Sequence, residues 1–405
     1  MIRKSSLALA LALLAACSQP EAVGGPDGEA TAVDADLAFD SGVASPTDAS
    51  AAGDAAWLPR PDASTAPDVG APPDAAQAGL DVGPGRPDAA SVVVDAGATG
   101  IRDWARYPAI VQVDTSSDIW ALGDVHADYD RLTALLAAAG VAPVPASPSA
   151  AQWSAGTAVL VCTGDLIDKW YQNLDVLSFM QALASSASAA GGRVVVTMGN
   201  HEAEFLADPY NTKAVDFVAE LNAASISPAD VASGKHPLGQ YLRSLPIAAR
   251  VNDWFFAHAG NTSGASLATL DANLRAGVDA LGFGAPVLSD PDSILEYKLD
   301  TPAPWWEVQG GDPATTLAQD AAAVNAKHIV QGHQPGKVLF SDGTTRSKGT
   351  AYQKFGEIFL IDVGMSLGVD DSTGALLHIH RDAGSGKSSA QVVKATGATS
   401  TLWTE

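Results

Sequence analysis

The sequence predicts a mixed α/β domain, and three observations support this fold class. Five short apolar runs bounded by Gly or polar residues have the pattern of buried strands: 119–122, 159–161, 194–196, 254–257 and 329–330. Apolar residues with helical spacing occupy 214–221 and 238–243, between the third and fourth runs. Residues 101–405 are also numerous enough to form one large domain.

Polar residues follow each apolar run, at the point where a strand would end. These clusters are Gly123-Asp124-Val125-His126, Gly164-Asp165-Leu166-Ile167-Asp168, Gly199-Asn200-His201-Glu202, His258-Ala259-Gly260 and Gly332-His333. Open α/β sheets usually place their sites beyond the carboxyl ends of the strands. Glycine beside the polar residues lets the backbone turn sharply and approach a ligand closely. The layout therefore predicts one site built from five segments.

In type and order, the five clusters resemble those of the calcineurin-like metallophosphoesterases, in particular the phosphoprotein-phosphatase-type branch and its bacterial Shewanella-like subgroup. The resemblance runs from about Asp118 to His380 and includes 360–366, which is similar to a late motif of that subgroup. It implies a two-sheet β sandwich flanked by helices, with a helical cap insertion at about 205–247. The metal ligands that it implies are Asp124, His126, Asp165, Asn200, His258 and His333, with Asp165 bridging two ions.

The chemistry of these ligands fits transition metals. Carboxylates neutralise the ions, while imidazoles favour Mn, Fe or Zn over Mg or Ca. The resemblance thus implies two divalent or trivalent transition-metal ions as cofactors. Two ions roughly 3.5 to 4 Å apart can hold the attacking and leaving oxygens of an in-line displacement and lower the pKa of a bound water toward about 7. The resulting hydroxide would attack phosphorus, so no covalent phospho-enzyme is required.

The resemblance also implies catalytic roles and a function. His201 is expected to protonate the leaving alkoxide, and Asp168 is expected to orient and charge-stabilise His201. The implied activity is a metal-dependent hydrolysis of phosphate monoesters, with Ser/Thr or Tyr phosphoproteins as candidate substrates. A phosphodiesterase or nucleotide hydrolase on the same scaffold, and a weakly active lipoprotein that binds phosphorylated ligands, are the alternatives. His333 is followed by Gln334-Pro335 without a second His, which favours the phosphatase branch over phosphodiesterase-type members.

Two departures from the family pattern concern substrate binding. Asp168 is followed by Lys169 where the family usually has Arg. A flexible ammonium group therefore replaces a rigid guanidinium, which can bind phosphate through two nitrogens. Lys169 is therefore the predicted substrate-binding residue. Segment 304–307 is expected to supply a phosphate contact, but Glu307 stands where a cation is expected.

Several residues also have ordinary structural interpretations. Asp168 alone could cap a helix that begins near Asn173. Arg243 is a candidate phosphate contact, although a solvent-facing helical position is favoured. His378 and His380 would share one face of a strand, and a surface feature is favoured over a third metal site.

The first 17 residues have the pattern of a lipoprotein signal peptide. Arg3 and Lys4 precede an apolar run at 7–16 that is too short to span a bilayer. The run ends in Leu14-Ala15-Ala16-Cys17, which is similar to a bacterial lipobox, so Cys17 is the predicted lipidated residue. Ordinary signal cleavage with an incidental Cys is the alternative. The expected location is the bacterial cell envelope, at the outer membrane of a host with two membranes, because Ser18 is not the Asp of an inner-membrane retention signal.

Residues 18–100 form a low-complexity linker rich in Ala, Pro, Asp and Gly. Positions 21–100 hold 14 acidic and 2 basic residues of a chain whose net charge is −23, so this segment cannot bury a core and is predicted to be a disordered tether. The catalytic domain at 101–405 is acidic as well, which argues against a nucleic-acid partner. Cys162 lies in a buried run, so no intrachain disulfide is expected. The expected partners are a phosphorylated substrate and, through the lipid anchor, a membrane; the oligomeric state is not indicated.

Overall fold

Two six-stranded β-sheets form the centre of the fold. The computed structural model describes residues 102–300 and 302–405. The predicted signal peptide, Cys17 and the predicted linker lie outside the described residues.

The strands pair into two large sheets and one small ribbon. In chain order they are β1 (Ile110–Val113), β2 (Ile119–Leu122), β3 (Val159–Cys162), β4 (Arg193–Val196), β5 (Ala248–Val251), β6 (Trp254–Ala257), β7 (His328–Gln331), β8 (Val338–Leu339), β9 (Thr345–Arg346), β10 (Tyr352–Lys354), β11 (Ile358–Leu360), β12 (Ala375–Arg381), β13 (Ser388–Lys394) and β14 (Thr399–Thr404). One sheet has the order β1-β5-β6-β7-β11-β10 and the other β14-β13-β12-β2-β3-β4. Strands β8 and β9 form the separate ribbon.

Helices fill the connections between strands. They are α1 (Tyr129–Ala138), α2 (Asn173–Ala189), α3 (Asn200–Ala207), α4 (Val215–Ala223), α5 (Pro228–Ala232), α6 (Pro237–Ser244), α7 (Leu267–Leu281), α8 (Pro286–Ser289), α9 (Trp305–Val308) and α10 (Pro313–Ala323). The two predicted helical segments are α4 and α6, and with α5 they make the predicted insertion between β4 and β5 helical. Within 102–300 and 302–405, the helices are all too short or too polar to cross a membrane.

The five apolar runs of the sequence correspond to β2, β3, β4, β6 and β7. Apart from Trp120 of β2 and from Arg193 and Val194 of β4, the residues of these strands are buried on both faces, which explains why the runs lack a polar alternation. Ala121 and Val161 of one sheet pack with Phe256 and Val330 of the other in the core between the sheets. The opposite faces of β2, β3, β4 and β6 pack in a second core that includes helices α1 and α2, and Ile329 of β7 packs in a third core. The predicted two-sheet α/β fold flanked by helices is confirmed.

Parallel pairing brings the ends of these strands side by side. Leu122 of β2 is in register with Cys162 of β3, which in turn is in register with Val196 of β4. In the other sheet, Ala257 at the end of β6 is in register with Gln331 at the end of β7. The polar clusters that follow these strands therefore lie side by side at one edge of each sheet.

Candidate metal centre

The first group of predicted ligands surrounds Asp165 in the loop after β3. His126 Nε2 lies 3.7 Å from Asp124 Oδ2 and 3.5 Å from Asp165 Oδ2. All three side chains are at most 3% exposed. The loops after β2 and β3 thus place two carboxylates and an imidazole nitrogen around one point.

The second group of predicted ligands shares Asp165 with the first. His258 Nε2 lies 3.4 Å from Asp165 Oδ1 and 3.0 Å from Asn200 Oδ1. His333 Nδ1 lies 3.1 Å from the same nitrogen of His258. Glu296 Oε2 accepts a hydrogen bond of 3.3 Å from Asn200 Nδ2, so the Asn200 amide presents its oxygen to His258. All six predicted metal ligands are therefore brought together.

Unpaired polar atoms at this centre fit metal ions. Asp124 Oδ2 and His333 Nε2 are buried and have no hydrogen-bond partner among the described residues. His126 Nδ1 faces the carbonyl oxygen of Ile167 at 3.1 Å, and His258 Nδ1 faces that of Thr163 at 2.8 Å. Such carbonyls fix the proton on Nδ1 and leave Nε2 free to bind a metal.

Asp165 could bridge two metal ions. Donor atoms of His126, Asp165 and His201 lie within 4.8 Å of one another, as do those of Asp165, His258 and His333. Asp165 belongs to both groups, as expected for a bridging carboxylate.

The electric field of the cluster also favours a cation. Burial alone would raise the pKa of Asp165, but the neighbouring His258 and His201 hold that pKa well below its usual value. Burial would lower the pKa of His258, yet Asp165 and Asp124 raise it to about 10. A position that favours a protonated imidazole this strongly also favours a metal cation. Burial holds the pKa values of His126 and His333 well below normal, which keeps both rings neutral as metal ligation requires.

The backbone at the centre is strained and tightly packed. His126, Asp165, Lys169 and His333 all have positive φ, between 44° and 68°, which non-glycine residues rarely adopt. A Cβ at position 199 would lie 2.1 Å from Asp165 Oδ1, so only glycine allows this approach. Strain of this kind is typical of a functional site that the rest of the fold holds in place.

His201 and Asp168 form the predicted acid pair. His201 Nδ1 lies 3.0 Å from Asp168 Oδ2, and its Nε2 lies 3.9 Å from Asp165 Oδ2. Burial would lower the pKa of His201, but Asp165 and the hydrogen bond to Asp168 raise it, which favours the protonated ring. The pair therefore presents a proton toward the metal ligands.

The contacts of Asp168 argue against a helix-capping role. The N-cap position of α2 is occupied by Gln172, whose side chain makes no capping hydrogen bond, and Asp168 binds His201. The first backbone N–H groups of α2 donate to Glu220 of α4, at 2.7 Å from Asn173 and 3.0 Å from Leu174. Asn173 Oδ1 in turn accepts a hydrogen bond of 2.7 Å from the Asp168 backbone. The helical insertion thus supports the acid pair through Asn173.

Two buried residues that the sequence analysis did not assign hold the ligand loops. Glu202 is fully buried and accepts hydrogen bonds from the backbone N–H groups of Asp165, Leu166, Ile167 and Gly199. Arg346 is also fully buried and donates to the carbonyl oxygens of Gln334, Thr350 and Asp362. Glu202 therefore joins the loops after β3 and β4, and Arg346 joins the loops after β7 and β11. Of the two residues, only Glu202 could have been identified from the sequence, because it belongs to the cluster Gly199-Asn200-His201-Glu202.

The predicted substrate-binding residue lies at the centre, and Glu307 binds a backbone group. Lys169 Nζ lies 2.7 Å from His126 Nε2. Glu307 accepts a 3.0 Å hydrogen bond from the backbone of Ser341. Two cations act on the ligands: burial and the neighbouring His258 lower the pKa of His333, and the charges of Lys169 and of the exposed Lys298 lower it further. The expected position of Glu307 beside the phosphate stays a prediction.

The remaining candidates lie elsewhere in the fold. Arg243 Nη1 donates to the carbonyl oxygen of Ala232 at 3.2 Å, and its guanidinium lies 5.2 Å from the centroid of the Phe283 ring. His378 and His380 lie on β12 and bind the two oxygens of Asp118, at 2.8 and 2.7 Å. The first contact holds the helical insertion together, and the second ties β12 to the start of β2. Cys162 is a buried thiol and forms no disulfide among the described residues.

Comparison with known proteins agrees with this geometry. The chain is 37% identical to an uncharacterized protein of Schizosaccharomyces pombe over 97 residues, which cover 24% of this chain and 26% of that protein. It is 25% identical over 282 residues to Shewanella-like protein phosphatase 1 of Plasmodium berghei, covering 65% of this chain and 72% of that protein. The chain thus spans only about a quarter of the first relative but most of the second.

The solved structures show the same fold. A cold-active protein-tyrosine phosphatase from a psychrophilic Shewanella species superimposes with a TM-score of 0.53 at 23% identity, over 72% of this chain and 82% of that one. The family model described as calcineurin-like phosphoesterase matches residues 117–353, more than half of the chain. This range holds all five ligand clusters, and the chain belongs to the calcineurin-like phosphoesterase family.

Proposed function

We propose that this chain hydrolyses phosphate monoesters, including those of phosphoproteins, with two transition-metal ions of the Mn, Fe or Zn type. The observation that carries this proposal is the position of Asp165 between two groups of histidines. The protein-phosphatase relatives support phosphoproteins as the substrate class.

The residues of the centre have three proposed roles: metal binding, proton donation and compensation of the phosphate charge. Asp124, His126 and Asp165 would hold one ion, and Asp165, Asn200, His258 and His333 the other. When bound, the ions would polarise the phosphoryl oxygens and lower the pKa of a water nucleophile. His201, held by Asp168 at 3.0 Å, would supply the proton to the leaving oxygen. Lys169 and Lys298 would balance the charge of the phosphate dianion.

Generic phosphatase activity gives the primary test. The full-length protein, supplied with Mn²⁺ or Fe²⁺, should bind close to two ions per chain and hydrolyse p-nitrophenyl phosphate. Elemental analysis and steady-state kinetics measure both properties. Hydrolysis of a bis(p-nitrophenyl) diester at a higher kcat/KM would contradict a monoesterase.

Removing His201 should separate proton transfer from metal binding. His201→Ala is expected to keep both ions but to lose about 10²- to 10⁴-fold in kcat for alkyl phosphates, whose leaving groups need a proton. The loss should be smaller for nitrophenyl phosphate, because nitrophenolate leaves without one. An equal loss for both substrates, or loss of a metal ion from the variant, would show that His201 is not the general acid. Tyr210→Ala, an exposed residue just after α3, provides the folding control.

The charge of Lys298 should lower the Michaelis constant. Lys298→Ala is expected to raise KM about tenfold with little change in kcat, because an exposed cation that acts on His333 also acts on the phosphate. Lys298→Arg should retain most of the affinity. Glu307→Arg should leave KM unchanged, since Glu307 binds the Ser341 backbone. A lower KM for Glu307→Arg would place that residue beside the phosphate after all.

The proposed location rests on the amino-terminal sequence. We propose that Cys17 is acylated and anchors the acidic linker and the catalytic domain to the membrane, because the run before it ends in Leu-Ala-Ala-Cys. Metabolic labelling with a clickable fatty acid should mark the wild type and not Cys17→Ala. Equal membrane association of the two proteins would exclude this anchor.

A further inference from the structure

A cavity of 240 Å³ lies next to helices α7 and α8. Its lining includes Asn261, Thr262 and Ser263, which follow β6, and Asp290 and Asp292, which follow α8. The lining residues include two carboxylates, two amides and several hydroxyl groups, and none of them is basic. Its chemistry is therefore that of a site for a cation or a hydrogen-bond donor.

The cavity is tied to the metal centre by two connections. Asn261 is the third residue after the metal ligand His258, and a chain advances at most about 3.6 Å per residue, so their Cα atoms lie within about 11 Å. The second connection begins at Ile294 in the cavity wall, whose carbonyl oxygen accepts a 2.8 Å hydrogen bond from Ala259. The same segment then reaches Glu296, which holds the metal ligand Asn200.

Thr262 gives an observation that is independent of the charges. This residue is 2% exposed, and its hydroxyl has no hydrogen-bond partner among the described residues. A buried hydroxyl without a partner costs free energy, and native structures usually provide one. A ligand in the cavity that Thr262 lines could supply the missing partner.

The two carboxylates exclude the phosphate itself from this cavity. Asp290 and Asp292 are exposed, and neither forms an ion pair within the described part of the chain. Asn261 Nδ2 donates to the Asp292 backbone oxygen at 2.7 Å, which fixes this aspartate at the cavity wall. Two uncompensated negative charges would repel a phosphate dianion and attract a cation.

We propose that the cavity binds the Lys or Arg side chain of a phosphorylated peptide whose phosphate lies at the metal centre. This inference rests on the proposed phosphatase function and specifies its substrates. The Cα atoms of His258 and Asn261 lie at most about 11 Å apart, a span that roughly three residues of extended peptide can cover. The basic residue is thus expected within about four positions of the phosphorylated residue.

Peptide kinetics with the full-length, metal-loaded protein test the inference. A set of phosphopeptides carries Lys, Ala or Glu at each position within four residues of the phosphorylated residue. We expect kcat/KM to be about five- to tenfold higher for Lys than for Ala at one or two positions, and lower again for Glu. The preference should shrink as ionic strength rises, because exposed charges are screened.

Paired variants identify the cavity as the source of the preference. Asp290→Asn with Asp292→Asn should bring the Lys-to-Ala ratio close to one. Asp114→Asn with Asp382→Asn removes the same charge at two exposed positions outside the cavity and should leave the ratio unchanged. Thr262→Val should reduce the ratio without unfolding the protein, because it replaces the hydroxyl by a methyl of similar volume. A ratio that is unaffected in the Asp290 and Asp292 variant, or equally reduced in the control, overturns the inference.

The outcomes separate this inference from the proposed function. Hydrolysis of nitrophenyl phosphate together with equal rates for Lys, Ala and Glu peptides would refute the cavity alone. If no phosphomonoester is hydrolysed, the proposed function fails. Fluorescence anisotropy with non-hydrolysable phosphonate peptides then measures the Lys-to-Ala affinity ratio without turnover, and equal affinities reject the cavity site.

Discussion

Asp165→Asn should abolish most of the metal binding and nearly all of the turnover. The carboxylate oxygens of Asp165 lie within 3.5 Å of nitrogens of His126 and His258, so this single residue serves both groups of ligands. An amide keeps the shape but loses the negative charge that favours two adjacent cations. A loss of several kcal/mol of transition-state stabilisation corresponds to about a 1000-fold lower kcat/KM. Elemental analysis should find one ion per chain or fewer.

A neighbouring carboxylate provides the matched control for this variant. Asp168→Asn changes charge and shape in the same way, but Asp168 binds His201 and neither of the two possible metal groups contains it. Asp168→Asn should therefore keep both ions and lose less activity than Asp165→Asn. If the two variants retain the same number of ions, Asp165 is not the bridging ligand.

The strands that position the site could be predicted because they are buried on both faces. Strands β2, β3, β6 and β7 each contain an apolar run because nearly all of their residues are buried. The edge strand β4 is buried at Val195 and Val196. Strand β14 at a sheet edge, with the sequence Thr-Ser-Thr-Leu-Trp-Thr, is mostly exposed and has no such run. Edge strands of this kind are stabilised by their neighbours, so their own sequence predicts them poorly.

The metal ligands could be predicted because each lies in a short segment directly after a strand. Local sequence contains the strand, the turn and the ligand together, and the fold only has to bring five such segments to one edge. Arg346 and Lys298 lack this advantage. Arg346 acts through carbonyl oxygens 12 and 16 residues away along the chain, and Lys298 acts through proximity to His333. The partners of Arg346 and Lys298 therefore cannot be inferred from the residues that flank them in the sequence.

The segment expected to supply a phosphate contact also has a structural role. Trp305 and Trp306, which precede Glu307, are each 1% exposed and belong to a core with Phe340 and Leu360. The two tryptophans fill this core. Packing requires large apolar side chains wherever volume must be filled, so aromatic residues alone are weak evidence for a binding site.

Glu202 should be the residue on which the stability of the ligand loops depends most. Its carboxylate accepts hydrogen bonds of 2.7 to 2.9 Å from the N–H groups of Asp165, Leu166 and Gly199, in a fully buried position. Glu202→Ala leaves these donors without an acceptor, at a cost of about 1 to 3 kcal/mol for a buried unpaired group. We expect the free energy of unfolding to fall by about 4 kcal/mol, measured by chemical denaturation.

Two further variants show why the charge of Glu202 matters. Glu202→Gln keeps the volume, but its NH₂ group would face N–H donors, so we expect an intermediate loss of about 2 kcal/mol. Glu204→Ala, on the same helix, removes a carboxylate that pairs with Lys213 at the surface, and its effect should be below about 1 kcal/mol. Because Glu202 positions the Asp165 loop, Glu202→Gln should also bind metal about 10- to 100-fold more weakly. Equal denaturation midpoints for Glu202→Ala and Glu204→Ala would show that the loops after β3 and β4 hold their shape without this carboxylate, and the strain at Asp165 would then need another source of support.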